Sequence, residues 1–175
     1  MSREIFNLDE VDRFVLGTVG TPGERQFFIQ VKKAGQVFSF ALEKGQAQAL
    51  ADRFKEIMKD ARINQGATMR DVNPLESPIE SEFSLGVMAI TWQHDTQLIR
   101  FEAQGLNNSN GDEVFEDLVS EDVEDAPPLL KLLLTPTQVR TFVLRAISVI
   151  KAGRQPCMFC GGPMNLDGHI CPRAN

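Results

Sequence analysis

The alternation of apolar and polar positions divides the chain into strands and helices that come in the same order twice. "RFVLGTVG" (Arg13 to Gly20) predicts a strand, and "TPGE" after it carries the proline and glycine that turns favour. "RQFFIQVKKAG" predicts a second strand, and Gly35 helps turn it into "QVFSFALEK", a third. In that third strand Val37, Ser39 and Ala41 alternate with Phe38, Phe40 and Leu42, the period of two of a half-buried strand. The period then changes. In "GQAQALADRFKEIMKDARI" the residues Ala47, Leu50, Ala51, Phe54, Ile57 and Met58 recur at helical spacing, which predicts an amphipathic helix.

A polar stretch from Asn64 to about Ser81, with Pro74 and Pro78, reads as a linker. The pattern then restarts. "EFSLGVMAITW" predicts a strand, "QHDT" a turn, "QLIRFEAQG" and "LLKLLL" two more strands, and "TPTQVRTFVLRAISVIKAG" a helix. Thr135 is a good N-cap, Pro136 suits the first helical position, and Gln138 stands where a capping box places it. Gly153 ends the helix. This helix is apolar around most of its circumference, so it is expected at the centre of the fold, with Arg140 and Arg145 emerging at one edge. The two runs share residues as well as order. "FVLGTVG" matches "FSLGVMA", and the helix starts pair Leu42 with Leu134, Gln46 with Gln138 and Arg53 with Arg145. The expected fold is therefore α+β: a tandem βββα repeat packed as one domain over residues 1–153. Its copies fall at about 11–63 and 82–153, related by a pseudo-twofold axis around one core.

Between the fifth and sixth predicted strands lies an insertion, residues 107–128. It holds Asp112, Glu113, Glu116, Asp117, Glu121, Asp122, Glu124 and Asp125 and no Lys or Arg. The net charge of −6 argues against a general nucleic-acid binder. Because eight acids sit in this one segment, the rest of the chain is slightly basic and can carry a local cationic surface. The insertion reads as a solvated loop, with Val114, Phe115, Leu118 and Val119 available for docking on a basic surface. The composition, 42% hydrophobic and 24% charged, suits a globular protein with a real core. No apolar run is long enough for a membrane span, and the N-terminus is charged from Arg3 without an apolar signal region, which points to the cytoplasm.

The three cysteines all fall in the closing stretch "CMFCGGPMNLDGHICPRAN", together with one of the two histidines. Cys157, Cys160, His169 and Cys171 give the pattern C-x2-C-x8-H-x-C, and three thiolates with an imidazole form a donor set that tetrahedral Zn²⁺ takes in structural sites. "CMFCGG" looks like a zinc knuckle, in which glycine after the second cysteine permits the tight turn. A reduced, metal-free tail and a dithiol redox pair are the alternatives. Residues 154–175 are thus read as a zinc-binding tail. A closed four-ligand site is structural rather than catalytic, and it supplies folding energy to a tail too short for a core.

The pieces "RFVLGTVGTPGERQFF" and "CMFCGGPMNLDGHICPRAN" give the chain its family likeness. It resembles, over its whole length, an uncharacterised bacterial family of unknown function found in high-GC Gram-positive genomes. The resemblance implies no reaction, substrate or partner.

For chemistry, the remaining residues offer little. "GTVGTPGER" lacks the Lys-Ser/Thr of a phosphate-binding loop and opens no helix, so it reads as a hairpin turn. His94, in "WQHDT", reads as an exposed turn residue, and there is no tyrosine. The leading expectation is a non-catalytic cytoplasmic zinc-binding adaptor or regulatory protein with a protein partner. The alternative is an enzyme acting on a phosphorylated small molecule or nucleotide in a cleft between the repeats, with Arg25, Arg53, Arg140 or Arg145 holding the anion. A third reading is nucleic-acid binding through the tail, where Lys151, Arg154 and Arg173 are basic.

Overall fold

The computed structural model describes residues 2–63, 69–106, 117–153, 155–164 and 168–173. It is a mixed α+β structure of one seven-stranded sheet and two helices. In chain order the elements are β1 (Ile5–Asp9), β2 (Arg13–Val19), β3 (Gln26–Lys33), β4 (Gln36–Leu42), α1 (Lys44–Asp60), β5 (Ser81–Gln93), β6 (Leu98–Gly105), β7 (Leu129–Leu134) and α2 (Pro136–Lys151). The sheet order is β1-β7-β6-β5-β4-β3-β2.

α2 begins as the sequence predicts, and α1 opens with a matching capping box that the sequence reading did not assign. The Glu43 N–H donates to Gln46 Oε1 at 2.8 Å, and the Thr135 N–H donates to Gln138 Oε1 at 2.9 Å. Each glutamine also donates outward from its amide: Gln46 to the Leu85 and Gly86 carbonyls, Gln138 to the Val11 carbonyl. The caps therefore tie each helix to a strand or to the link before one, besides satisfying its first turn.

Strand β1 was not foreseen. Its Phe6 and Leu8 alternate like any strand, but five residues between charged neighbours give too short a signal. It pairs in parallel with β7, at the opposite edge of the sheet from β2. Only Glu10 to Asp12 join β1 to β2. That link reaches at most roughly 14 Å, whereas a flat seven-stranded sheet would hold its edges roughly 29 Å apart. The sheet must curl strongly. Phe6 accordingly lies 5.6 Å, ring to ring, from Phe40 of β4.

Inside the curl the two helices complete the core. Phe14 (β2), Phe54 (α1), Phe101 (β6) and Phe142 (α2) meet there, with Phe14 stacked on Phe142 at 4.4 Å between centroids. Phe40, Leu85, Ile99, Leu130, Leu132 and Leu134 surround them, all buried. α2 is the more enclosed helix, as its apolar circumference predicts.

The junction between the two runs is the parallel pair β4 and β5. Here the third strand of one run meets the first of the next, pointing the same way.

The outer face of the sheet is covered by irregular chain. Residues 69–80, read from sequence as a linker, lie over β2 and β3. Leu75 sits on Gly17, where a Cβ would be 2.5 Å from Leu75 Cγ. Gln30 donates to the Glu76 carbonyl and accepts from the Glu76 N–H. The described part of the acidic insertion covers the other end. Buried Arg3 donates to the carbonyls of Val119, Glu121 and Pro127 at 2.6–2.7 Å, and Lys131 donates to the Ser120 carbonyl. Residues 117–128 are therefore held by their backbone rather than freely solvated, while 107–116 lie outside the described residues.

Candidate metal centre

The tail builds a small knuckle before it builds a site. Pro156 and Pro163 bridge as antiparallel partners. Between them the Cys157 N–H donates to the Gly162 carbonyl and the Gly161 N–H to the Cys157 carbonyl, both at 2.8 Å. Gly161 takes φ +72°, a left-handed conformation that glycine adopts without strain. This turn brings Cys157 and Cys160 to one side. Gly168, at φ +89°, precedes His169 as the chain returns.

The ligand atoms of Cys157, Cys160, His169 and Cys171 all lie within 4.8 Å of one another. Cys157 Sγ is 3.8 Å from Cys171 Sγ, and Cys160 Sγ is 3.5 Å from His169 Nε2. A tetrahedral ion with metal–sulfur bonds of about 2.3 Å and metal–nitrogen bonds of about 2.0 Å sets such edges at roughly 3.8 and 3.5 Å. Both edges fit. Cys157 is buried and the other three are half-buried.

The surroundings favour thiolate at Cys157 and the correct imidazole nitrogen at His169. The amides of Cys160 and then Phe159 pull the Cys157 thiol down to about 7. Burial pushes the Cys171 thiol up, offset in part by the Arg173 N–H, which donates to its sulfur at 3.4 Å. His169 Nδ1 lies 3.3 Å from the Pro163 carbonyl. A proton on Nδ1, donated to that carbonyl, leaves the Nε2 lone pair facing the sulfurs, the usual outer-shell arrangement of a ligating histidine. Sequence reading missed these supports because they are backbone groups. The x-positions of a CxxC turn were the available hint.

Three apolar residues between the ligands face outward: Met158 is 86% exposed, Phe159 60% and Ile170 99%, the largest apolar exposures among the described tail residues.

The four arginines proposed to hold an anion do not converge. Arg25 lies over the Phe27 ring and donates to the Val149 carbonyl at the end of α2, sharing a hollow of about 370 Å³ with Lys44 and Gln46. Arg53 is exposed and pairs with Glu56. Arg140 lines a groove between the helices. Arg145 does not emerge at the edge as expected. Its guanidinium donates to the Leu16, Asp71 and Asn73 carbonyls and to the Asp71 carboxylate, so it is a structural tie. His94 is an exposed turn residue 3.2 Å from Trp92 Nε1. Among the described residues no helix is long and apolar enough to cross a membrane.

No curated protein and no solved structure matches the chain. A family model does, over residues 6–171, a span that runs from β1 to the last of the four ligands. The chain belongs to the family described as "Protein of unknown function (DUF3090)".

Proposed function

We propose that this protein is a zinc-binding adaptor or regulatory protein of the cytoplasm, without catalysis of its own, whose metal-held tail docks a protein partner. The observation that carries the reading is the pairing of a closed Cys₃His donor set with outward Met158, Phe159 and Ile170. A four-ligand site leaves no position for substrate, so its role is to fix shape. Exposed large apolar side chains on a rigid turn are what an interaction site presents. Zinc is favoured over other metals by the soft, four-donor set. We read residues 1–153 as one domain and 154–175 as its metal tail. We also read β2–β4–α1 and β5–β7–α2 as copies of one βββα unit, supported by the matching capping boxes at Gln46 and Gln138.

The test combines metal content with partner capture. Wild-type protein should carry zinc and retain a stable partner. Phe159→Ser should keep the zinc and lose the partner. A phosphorylated metabolite co-purifying in stoichiometric amount would instead favour the enzyme reading, and salt-sensitive retention of nucleic acid the third.

A further inference from the structure

The groove between α1 and α2 adjoins, across α2, a larger hollow lined by residues 70–74. Leu144 belongs to both. One part, about 330 Å³, lies toward Met58, Ile63 and Val143. The other, about 550 Å³, lies toward Ile147, Val149 and Val72. Together they form one apolar trough crossing the outward stripe of α2. Val72 at its rim is 84% exposed.

The charge around this trough is one-sided. Lys55, Lys59 and Arg140 line one end, Arg70 and Arg145 the other, and Asp71 is the single acid among the lining residues. Asp71 is itself engaged by Arg13 and Arg145, and Lys55 pairs with Asp52 beside the groove, so Lys59 at one end and Arg70 at the other are the cations most open to a partner. In a chain of net charge −6, the lining of this trough holds five cations to one acid.

We propose that this trough seats an acidic amphipathic helix of a partner protein. The inference stands apart from the tail and its metal. An apolar floor calls for leucine-like anchors at helical spacing, and cations at both ends call for acids along the flanks. The distribution of charge decides against an acyl chain with one anionic head, which needs its cations gathered at one mouth and its chain enclosed. Both hollows are open instead, and the cations are spread along them. Electrostatic complementarity of this kind sets orientation and speeds encounter.

The test uses full-length, zinc-loaded protein and a fluorescein-labelled synthetic peptide of about 18 residues, five helical turns. Leucines occupy its i, i+3, i+4 and i+7 positions and glutamates the rest. A scrambled peptide of the same composition is the comparison. Binding is read by fluorescence anisotropy at low salt. The patterned peptide should bind at micromolar concentration and at least tenfold more tightly than the scramble. Lys55→Glu/Lys59→Glu and, separately, Arg70→Glu should each weaken it at least tenfold without changing the thermal melt. Lys33→Glu, on β3, should leave it unchanged. No binding, equal binding of the scramble, or indifference to both trough variants would overturn the proposal. So would trough-dependent binding of anionic vesicles or a single-stranded oligonucleotide in place of the peptide.

Discussion

Arg145 donates to Asp71 Oδ1 at 2.9 Å from helix α2, and Arg13 grips the same carboxylate from strand β2 at 2.7 and 2.8 Å. Two guanidiniums thus share one acid, and the segment carrying Asp71 becomes the tie between helix and sheet. The hydrogen bond from Arg13, more than any other influence, holds the Asp71 carboxyl below its usual range.

A pH dependence follows from that depression. A carboxyl whose folded pKa lies below its unfolded value of about 4 stabilises the fold fully above that value. The contribution is lost as pH falls through the depressed folded value. Asp71→Asn should therefore cost about 1–3 kcal/mol at pH 7, because it leaves two half-buried cations short of a partner. Thermal melts should show the gap between wild type and variant closing as the pH is taken below the carboxylate range. A gap that stayed constant with pH would contradict the assignment.

Gly17 is the contact point for the covering segment. A methyl group there would stand 2.5 Å from Leu75 Cγ, so Gly17→Ala must push Leu75 off β2. The expected loss is about 1–3 kcal/mol, the cost of overpacking. Gly17→Ala combined with Leu75→Ala should recover part of it, since the clash is then removed. Strict additivity of the two losses in denaturant melts would argue against the contact.

Arg3 holds the acidic segment by three carbonyls and the Gln104 side chain. Arg3→Ala should raise amide exchange and protease cleavage across residues 117–127. The central sheet, packed by the Phe14–Phe142 stack, should keep its protection. Unchanged cleavage would mean that the segment is held by something other than this guanidinium.

Much of this architecture is legible in the sequence. The alternation in Val37–Leu42 and the spacing of Ala47 to Met58 place β4 and α1 because each pattern needs only its own neighbours. The candidate metal ligands are legible for the same reason: Cys157 and Cys160 meet through a turn two residues long. What the sequence hides is long-range. The buried role of Arg145 depends on carbonyls of Leu16 and Asn73, and every residue has a carbonyl. Arg3 pins Val119, Glu121 and Pro127 in the same anonymous way. The parallel meeting of β4 and β5 is set by how the sheet curls, which no local pattern encodes.

Removing the metal should separate tail from body. A structural zinc site contributes on the order of 10 kcal/mol to its own small unit. A chelator should therefore release exchange at Cys157, Gly161 and Met164 while leaving Phe101 and Leu132 protected. Global unfolding on chelation would show that the tail supports the sheet as well.

The most direct measurement is the metal content of freshly purified protein by inductively coupled plasma mass spectrometry, for wild type and for Cys160→Ser and His169→Ala. One zinc per wild-type chain, with clear loss in both variants, is the predicted result. Wild-type protein without stoichiometric zinc, or variants that hold it as well as wild type, would contradict the account.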